Sequence, residues 1–208
     1  MVDITNVVSR EIIEKTVDIT IDYSELGIDT ILQESLLKEI PLVKSVLSFY
    51  NITNSIIDRH NVIKLLTFFR EFHRKEINLE KLNAFKAKFS QNIKYQNKVV
   101  ETIILLNERF LQIKKSKILA NLLIAHIEEN ITWQELQDIS FVLDSIHPKG
   151  FEFLEKMSKG PFWGYHGNDE AGEPFMTACG IGHRHGSKFT ISPIGQKLFK
   201  FGLKPLTE

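Results

Sequence analysis

The longest lightly charged stretch of the chain covers residues 36–72, LLKEIPLVKSVLSFYNITNSIIDRHNVIKLLTFFREF. Lys44 is the only charged residue between Ile40 and Ile57. The apolar positions after Pro41 cover more than one helical face, which is typical of a helix that is buried on most sides or surrounded by lipid. Because proline disfavours the α conformation of the residue before it, Pro41 predicts a helix boundary or kink at Ile40. The stretch therefore predicts an apolar centre for the protein.

Two helices are predicted in this stretch, on either side of a polar break at residues 58–61, DRHN. The first covers 42–57, and the second runs from residue 62 to about residue 75 with Asn61 as its candidate cap. A constitutive transmembrane helix is not expected, because the polar run 51–55 opposes insertion and a lysine near the centre of a span costs roughly 3 kcal/mol. Two interpretations stay open: a central pair of core helices, which is favoured, and a hairpin that enters a membrane after a trigger.

Helical periodicity also marks the flanking regions of the chain. The N-terminal side predicts a short helix at 7–15 capped by Thr5 or Asn6, a strand-like alternation at 17–23, and a helix over 26–40. On the C-terminal side we expect helices over 79–96, about 95–113, from Ser116 onward, and over 133–146. Asn78 is the predicted cap of the first of these, and Thr132 with Glu135 forms a predicted capping box for the last.

The composition changes sharply near residue 148, because ten of the eleven glycines follow residue 149. The pattern predicts a helix at 148–158, a loop at 159–173, and two strands at 174–181 and 187–193 around a tight GHRHG turn. Pro193 suits the first turn of a closing helix. The whole chain is therefore predicted to be mainly α: a multi-helix bundle followed by a small α+β winged-helix-like C-terminal unit with one β-hairpin. The predicted domains are an N-terminal arm (1–24), a helical bundle (25–147) and the winged-helix-like unit (148–208).

Composition and charge exclude little. The chain is 43% hydrophobic and 25% charged with a formal net charge of zero, so the global charge indicates neither nucleic acid nor membrane. Residues 1–30 carry seven acids against two bases, and 70–117 carry twelve bases against five acids, at scattered helical spacing that predicts solvated faces. The single cysteine, Cys179, excludes an intramolecular disulfide and suits a reducing compartment. Without a signal-peptide-like apolar core at the N-terminus, we expect a cytoplasmic protein.

Several segments resemble known bacterial proteins. ELGID at 25–29, LKEIPLV at 37–43 and the FTISPIG and FGL of the C-terminal tail resemble a group of short bacterial proteins of uncharacterised function with a winged-helix-type tail. The helical middle, ANLLIAHIEENITWQELQDISFVL, is similar in style to the abortive-infection alpha group of phage-defence proteins. The resemblance implies a bacterial accessory or defence role and supplies no catalytic residues.

The sharpest polar cluster consists of His166, Cys179, His183 and His185. A Cys-x₃-His-x-His pattern with a further histidine on the preceding loop offers four donors of the kind that bind tetrahedral Zn²⁺. The spacing is not that of a standard zinc finger or ribbon, so the favoured alternative is a histidine-rich surface turn beside a half-buried cysteine. Cys179 as a nucleophile needs a histidine base within hydrogen-bond reach, and no catalytic signature surrounds it.

Three function classes follow from these patterns. The leading hypothesis is a non-enzymatic bacterial interaction protein, in phage defence, that acts by partner binding or self-association; peripheral membrane contact stays open. The second is a winged-helix DNA-binding regulator, which is not favoured because the segment before the hairpin is glycine-rich and acidic. The third is a metal-dependent or thiol enzyme at the His/Cys cluster. For the leading hypothesis, the predicted partner surface is the face of residues 36–72 that its neighbours leave uncovered: Leu47, Phe49, Tyr50, Phe68 and Phe69.

Overall fold

The computed structural model describes residues 3–26, 30–31, 38–50, 55–166 and 171–207. It is mainly α-helical with a small three-stranded antiparallel sheet near the C-terminus, which confirms the predicted fold class. By their internal contacts the residues divide into two compact units, Met1–Ala120 and Asn121–Glu208. The domain boundaries predicted after residues 24 and 147 stay predictions. The helix expected over 26–40 falls largely outside the described residues.

The first unit is built of helices that enclose one long apolar helix. α1 packs against α2 and α5, and α3 also packs against α2 and α5, while α4 packs against α5. The bounds are α1 (Ile4–Ile13), α2 (Pro41–Tyr50), α3 (Ile56–Arg74), α4 (Leu79–Gln91), α5 (Ile93–Arg109) and α6 (Ile113–Ile127), which continues beyond the unit.

Helix α3 forms the centre of this unit. Every residue from Val62 to Phe69 is buried, and Phe68 packs edge-on against Phe69 and stacks with Phe72. The break predicted at 58–61 is wrong, because Ser55 caps the helix by accepting a hydrogen bond from the Asp58 backbone N–H at 3.2 Å. The helix therefore begins six residues earlier than predicted and continues through the polar DRHN segment.

The N-terminal segment also differs from its prediction. Asp3, rather than Thr5 or Asn6, caps α1. Residues 17–23 form turns and no strand. Polar contacts hold this segment in place, because Arg70 Nη1 lies 3.1 Å from Asp22 Oδ2 and Lys117 donates to Ser24 Oγ at 2.8 Å. These contacts join Asp22 to α3 and Ser24 to α6.

Caps define the next helices. Asn78 accepts hydrogen bonds from the backbone N–H groups of Glu80 and Lys81, which confirms the predicted cap of α4. The single helix expected over 79–96 is instead interrupted at Asn92, which ends α4 and caps α5 by accepting from the Tyr95 N–H at 3.0 Å.

The second unit combines helices with the sheet. Thr132 and Glu135 form the predicted capping box at the start of α7. The strand order is β1-β3-β2, with both pairs antiparallel. The bounds are α7 (Trp133–Ser145), α8 (Pro148–Ser158), a 3₁₀ turn (Pro161–Trp163), β1 (Gly164–His166), α9 (Glu173–Ala178), β2 (Gly182–His185), β3 (Lys188–Ile191), α10 (Pro193–Lys197), a π-helical segment (Leu198–Leu203) and a 3₁₀ turn (Lys204–Leu206).

The hairpin is present but its first strand was predicted in the wrong place. Residues 173–178 form helix α9, which buries only Met176. The GHRH residues expected in the turn form β2, and the chain reverses at Gly186 and Ser187, where Gly186 has a φ of 58°. A left-handed φ favours glycine, because a Cβ atom is strained there.

Candidate functional site

The structure places the five residues of the predicted partner surface in different environments. Phe68 and Phe69 are fully buried in the centre of α3, and Tyr50 is nearly buried. The prediction of an accessible surface is therefore wrong for these three, because neighbouring helices cover them. Leu47 and Phe49 are half-buried on α2, and their role stays a prediction.

The apolar stretch is instead uncovered at the N-terminal end of α3. Ile56 is 83% exposed and Ile57 is 71% exposed. Leu111, in the connection between α5 and α6, is 85% exposed. We call Ile56, Ile57 and Leu111 the α3 end cluster.

Hydrogen bonds bring Leu111 beside the first turns of α3. His60 Nε2 lies 3.0 Å from the Leu111 backbone oxygen, and since a carbonyl oxygen only accepts, Nε2 is the donor. His60 follows Ile56 by four residues, which places both on one face of the helix. The backbone of Leu111 therefore lies beside the first turns of α3, which carry Ile56 and Ile57.

Lys64 holds the backbone at the end of α5, next to Leu111. Its buried ammonium donates to the Glu108 backbone oxygen at 3.0 Å and to the Phe110 backbone oxygen at 2.7 Å. These carbonyls lie at the C-terminal end of α5, where the helix leaves its last acceptors unpaired. Desolvation by burial lowers the pKa of Lys64 to about 8. These two hydrogen bonds thus anchor the start of the connection that carries Leu111 to α3.

Tyr50 adds a further restraint at this end of the unit. Its hydroxyl donates to Glu108 Oε1 at 3.0 Å and joins α2 to α5. Burial raises the pKa of Tyr50 above its ordinary value, and the Glu108 charge adds to the shift. Tyr50 therefore stays protonated and acts as a structural donor.

The predicted zinc ligands do not come together as one group. His183 and His185 are two residues apart on β2 and so share a face of the sheet. His166 on β1 is on that face too, but Lys188 of β3 pairs with both His166 and His185 and stands between them. Two strand spacings, about 10 Å, therefore separate the backbones of His166 and His185.

Three of the four predicted ligands instead have local hydrogen-bond partners. His166 Nδ1 lies 3.3 Å from Ser187 Oγ, and His183 Nε2 lies 3.2 Å from Thr190 Oγ1. Cys179 is half-buried in the turn after α9, where its thiol donates to the Phe175 carbonyl at 3.0 Å. Among the described residues, no three His, Cys, Asp or Glu side chains form a group able to hold a metal ion. Zinc binding stays a prediction, which metal analysis of the purified protein tests.

Glu173 organises the other face of the sheet. Glu173 accepts from the Tyr165 hydroxyl and from two nitrogens of Arg184, one of them at 2.9 Å. Arg184 also donates to the Ser187 backbone oxygen at 3.0 Å. The pKa of Arg184 is raised, chiefly by its hydrogen bond to Glu173. The arrangement ties α9 to β1 and β2.

Within residues that the structure describes, no helix has both the length and the apolar character to cross a bilayer.

Comparisons with known proteins supply no relative for this chain. Neither the protein-family models, nor the curated proteins, nor the solved structures contain a significant match. Function is therefore inferred from the structure of the α3 end cluster and the other sites described above.

The α3 end cluster was missed although the sequence contains a signal for it. Ser55 and Asp58 have the Ser-x-x-Asp spacing of a helix start. A helix that starts at Ile56 places both isoleucines in its first turn, where a helix has fewer neighbours than in its middle. The predicted helix over 42–57 included Ser55, so this signal was not used as a helix start.

Proposed function

We propose that this protein is a non-enzymatic interaction protein that acts by protein–protein contact, with the α3 end cluster as its contact surface. The observation that carries the proposal is the exposure of Ile56, Ile57 and Leu111, each 71–85% accessible, at one end of the central helix. Apolar side chains exposed together mark interaction sites more often than single ones do.

The setting of the cluster supports this proposal. Its backbone is held by Lys64 and His60, so little ordering is needed on binding. Asp58 beside it and Glu108 and Arg109 at the end of α5 are at least partly exposed. An apolar centre with a polar, charged rim is the usual anatomy of a protein interface.

The test is a pair of double variants. We expect Ile57→Gln/Leu111→Gln to weaken association at least about tenfold, because side chains at the centre of an interface dominate its energy. Leu79→Gln/Ile93→Gln is the matched control, since these two aliphatic residues are 74% and 64% exposed on other elements. Surface changes of this kind alter stability little, so both variants should fold.

Two measurements separate the kinds of partner. Sedimentation velocity over a range of concentrations detects self-association of the chain. Photo-crosslinking from position 56 in the native host detects another protein, and its binding is then measured with the purified pair. If the cluster variant and the control variant bind equally well, or if the chain is monomeric and forms no crosslink, the proposal is wrong.

A role in bacterial phage defence is part of this proposal, on the strength of the sequence resemblance alone. We expect cells that express the protein to resist phage, and cells that express Ile57→Gln/Leu111→Gln to lose that resistance. Plating efficiency measures both, with the Leu79→Gln/Ile93→Gln variant as the control. Equal protection by all three proteins would show that phage resistance does not depend on the α3 end cluster.

The second candidate is a winged-helix DNA-binding regulator. The strand order β1-β3-β2, with α9 between β1 and β2, favours a winged-helix-like unit, and Lys188 lies between two histidines on the solvent face of its sheet. Helix α9, in the place of a recognition helix, has Glu173 and neither lysine nor arginine. A gel shift at two salt concentrations tests it, because phosphate contacts weaken as salt rises. No shift at low salt eliminates this candidate.

A further inference from the structure

A second site lies in the first unit, in a pocket of about 210 Å³. The ends of α1 and α3 and the start of α4 form its walls. Its interior is apolar and includes Ile12, Phe72, Ile77 and Leu82. Ile12 and Phe72 also belong to the buried core, so the interior of the pocket is part of the packed core of the unit.

The polar side chains that line the pocket are all bases. Lys15, Lys75, Lys86 and His73 line it, and among the described residues no acidic side chain does. Lys86 is held at the rim because its ammonium donates to the Ile13 carbonyl at 2.5 Å. An ammonium has three donors, so this contact orients Lys86 and occupies one of them.

Four acids stand beside lining residues in the sequence: Glu11 before Ile12, Glu14 between Ile13 and Lys15, Glu71 before Phe72, and Glu76 between Lys75 and Ile77. The charge of Glu11 is already engaged. Glu11 is 1% exposed and accepts from the backbone N–H groups of Thr16 and Val17 and from the Thr16 hydroxyl. His73 Nε2 also lies 3.1 Å from its Oε1. Glu71 is buried and paired with Arg74, and Glu14 and Glu76 are exposed. None of these acids lines the pocket, so the charged side chains of its described lining are Lys15, Lys75 and Lys86.

We propose that this pocket binds a small amphipathic anion, with an alkyl chain against the apolar interior and a carboxylate or phosphate at the lysine rim. Ligand sites are mostly apolar with a few polar groups that fix orientation. At about 30 Å³ per water molecule, the volume equals about seven waters, which suits a chain of roughly six to eight carbons. Lysine recognises the anion as a point charge, so a carboxylate and a phosphate both fit.

The binding test uses the full chain and simple probes below their micelle-forming concentrations. Calorimetry and methyl NMR should detect octanoate with a dissociation constant of about a millimolar or lower, as expected for a ligand of this size. Octyl phosphate should bind in the same range if the rim accepts phosphate, and weaker binding assigns the site to carboxylates. Octanol, acetate and inorganic phosphate should bind at least about tenfold more weakly. Octanol lacks the negative charge, and acetate and inorganic phosphate lack the long alkyl chain. Equal binding of octanol and octanoate, or no binding of octanoate, overturns the proposal.

Variants locate the site. Lys15→Gln and Lys86→Gln should each weaken octanoate binding roughly two- to fivefold, the effect of losing one partly exposed ion pair. Lys44→Gln is the matched control, since Lys44 is an exposed lysine on α2 outside the pocket. Leu82→Phe should fill the interior and abolish binding, and Ile77→Phe, in the connection before α4, serves if Leu82→Phe does not fold. Unchanged binding in both rim variants and in a folded filling variant overturns the proposal.

Discussion

The two units of this protein place similar carboxylates in very different surroundings. Glu11 in the first unit is 1% exposed, and Glu173 in the second has a side chain that is 15% exposed. Both accept at least three hydrogen bonds. Glu11 receives two of them from backbone N–H groups, whereas Glu173 receives all of its bonds from side chains.

This difference decides what each carboxylate contributes. A buried N–H group that loses its acceptor cannot turn to water, so its desolvation penalty is fully felt. Tyr165 and Arg184 are partly accessible side chains that can rotate towards solvent when Glu173 is removed. The first unit therefore depends on its polar contacts more strongly than the number of contacts alone indicates.

The strongest test of this comparison is Glu11→Ala. We expect the free energy of unfolding to fall by about 3 to 5 kcal/mol, because the change leaves three donors of Thr16 and Val17 without their acceptor. Urea denaturation followed by circular dichroism measures the loss. Glu14→Ala is the matched control, since Glu14 is an exposed carboxylate at the end of the same helix. Equal losses in the two variants would show that burial does not set the cost.

Much of the fold was predictable because local rules and burial agree. Asn78 and the Thr132–Glu135 capping box were read from sequence, since a cap involves neighbours three residues apart. The closing helix behind Pro193 followed in the same way. The hairpin was misplaced because three of the four residues of β2 are exposed, so no alternation of apolar and polar residues marks the strand.

The candidate site was less predictable because it depends on pairs far apart in sequence. His60 and Leu111 lie 51 residues apart, as their hydrogen bond shows. The lysines of the pocket come from the segment after α1, from the connection between α3 and α4, and from α4, so no local pattern joins them. Phe68 and Phe69 were assigned to a surface because composition reveals that a helix is apolar but not which neighbours cover it.

The second test uses the pH dependence of the first unit. Burial lowers the pKa of Lys64 to about 8, against about 10.4 in an unfolded chain. Between pH 8 and about 10.4 the unfolded state binds more protons than the folded state, so the free energy of unfolding rises with pH in this window. This added stability is lost as the pH falls through 8. From pH 7 to pH 9 we expect Lys64 to contribute a rise of about 1.4 kcal/mol in the free energy of unfolding. Lys64→Met should abolish this rise in urea titrations.

Two features keep this measurement specific to Lys64. Lys44→Met removes an exposed lysine of α2 and should leave the rise intact. Burial raises the pKa of Tyr23 to about 12, so ionisation of the unfolded state near pH 10 would lower stability, and the titration stops at pH 9 for that reason. A rise that persists in Lys64→Met would assign the pH dependence to another group.

The smallest expected effect is that of Glu173→Ala in the second unit. We expect the free energy of unfolding to fall by at most about 1 kcal/mol, because partly exposed partners regain water when their acceptor is lost. Urea denaturation in low and in high salt measures the change, and salt should shrink it further since the Arg184 ion pair faces solvent. Glu152→Ala, an exposed carboxylate on α8, is the control. A loss as large as that of Glu11→Ala would mean that the hydrogen bonds of Glu173 hold α9 on the sheet as tightly as the buried contacts hold the first unit, and the contrast between the two units would then be wrong.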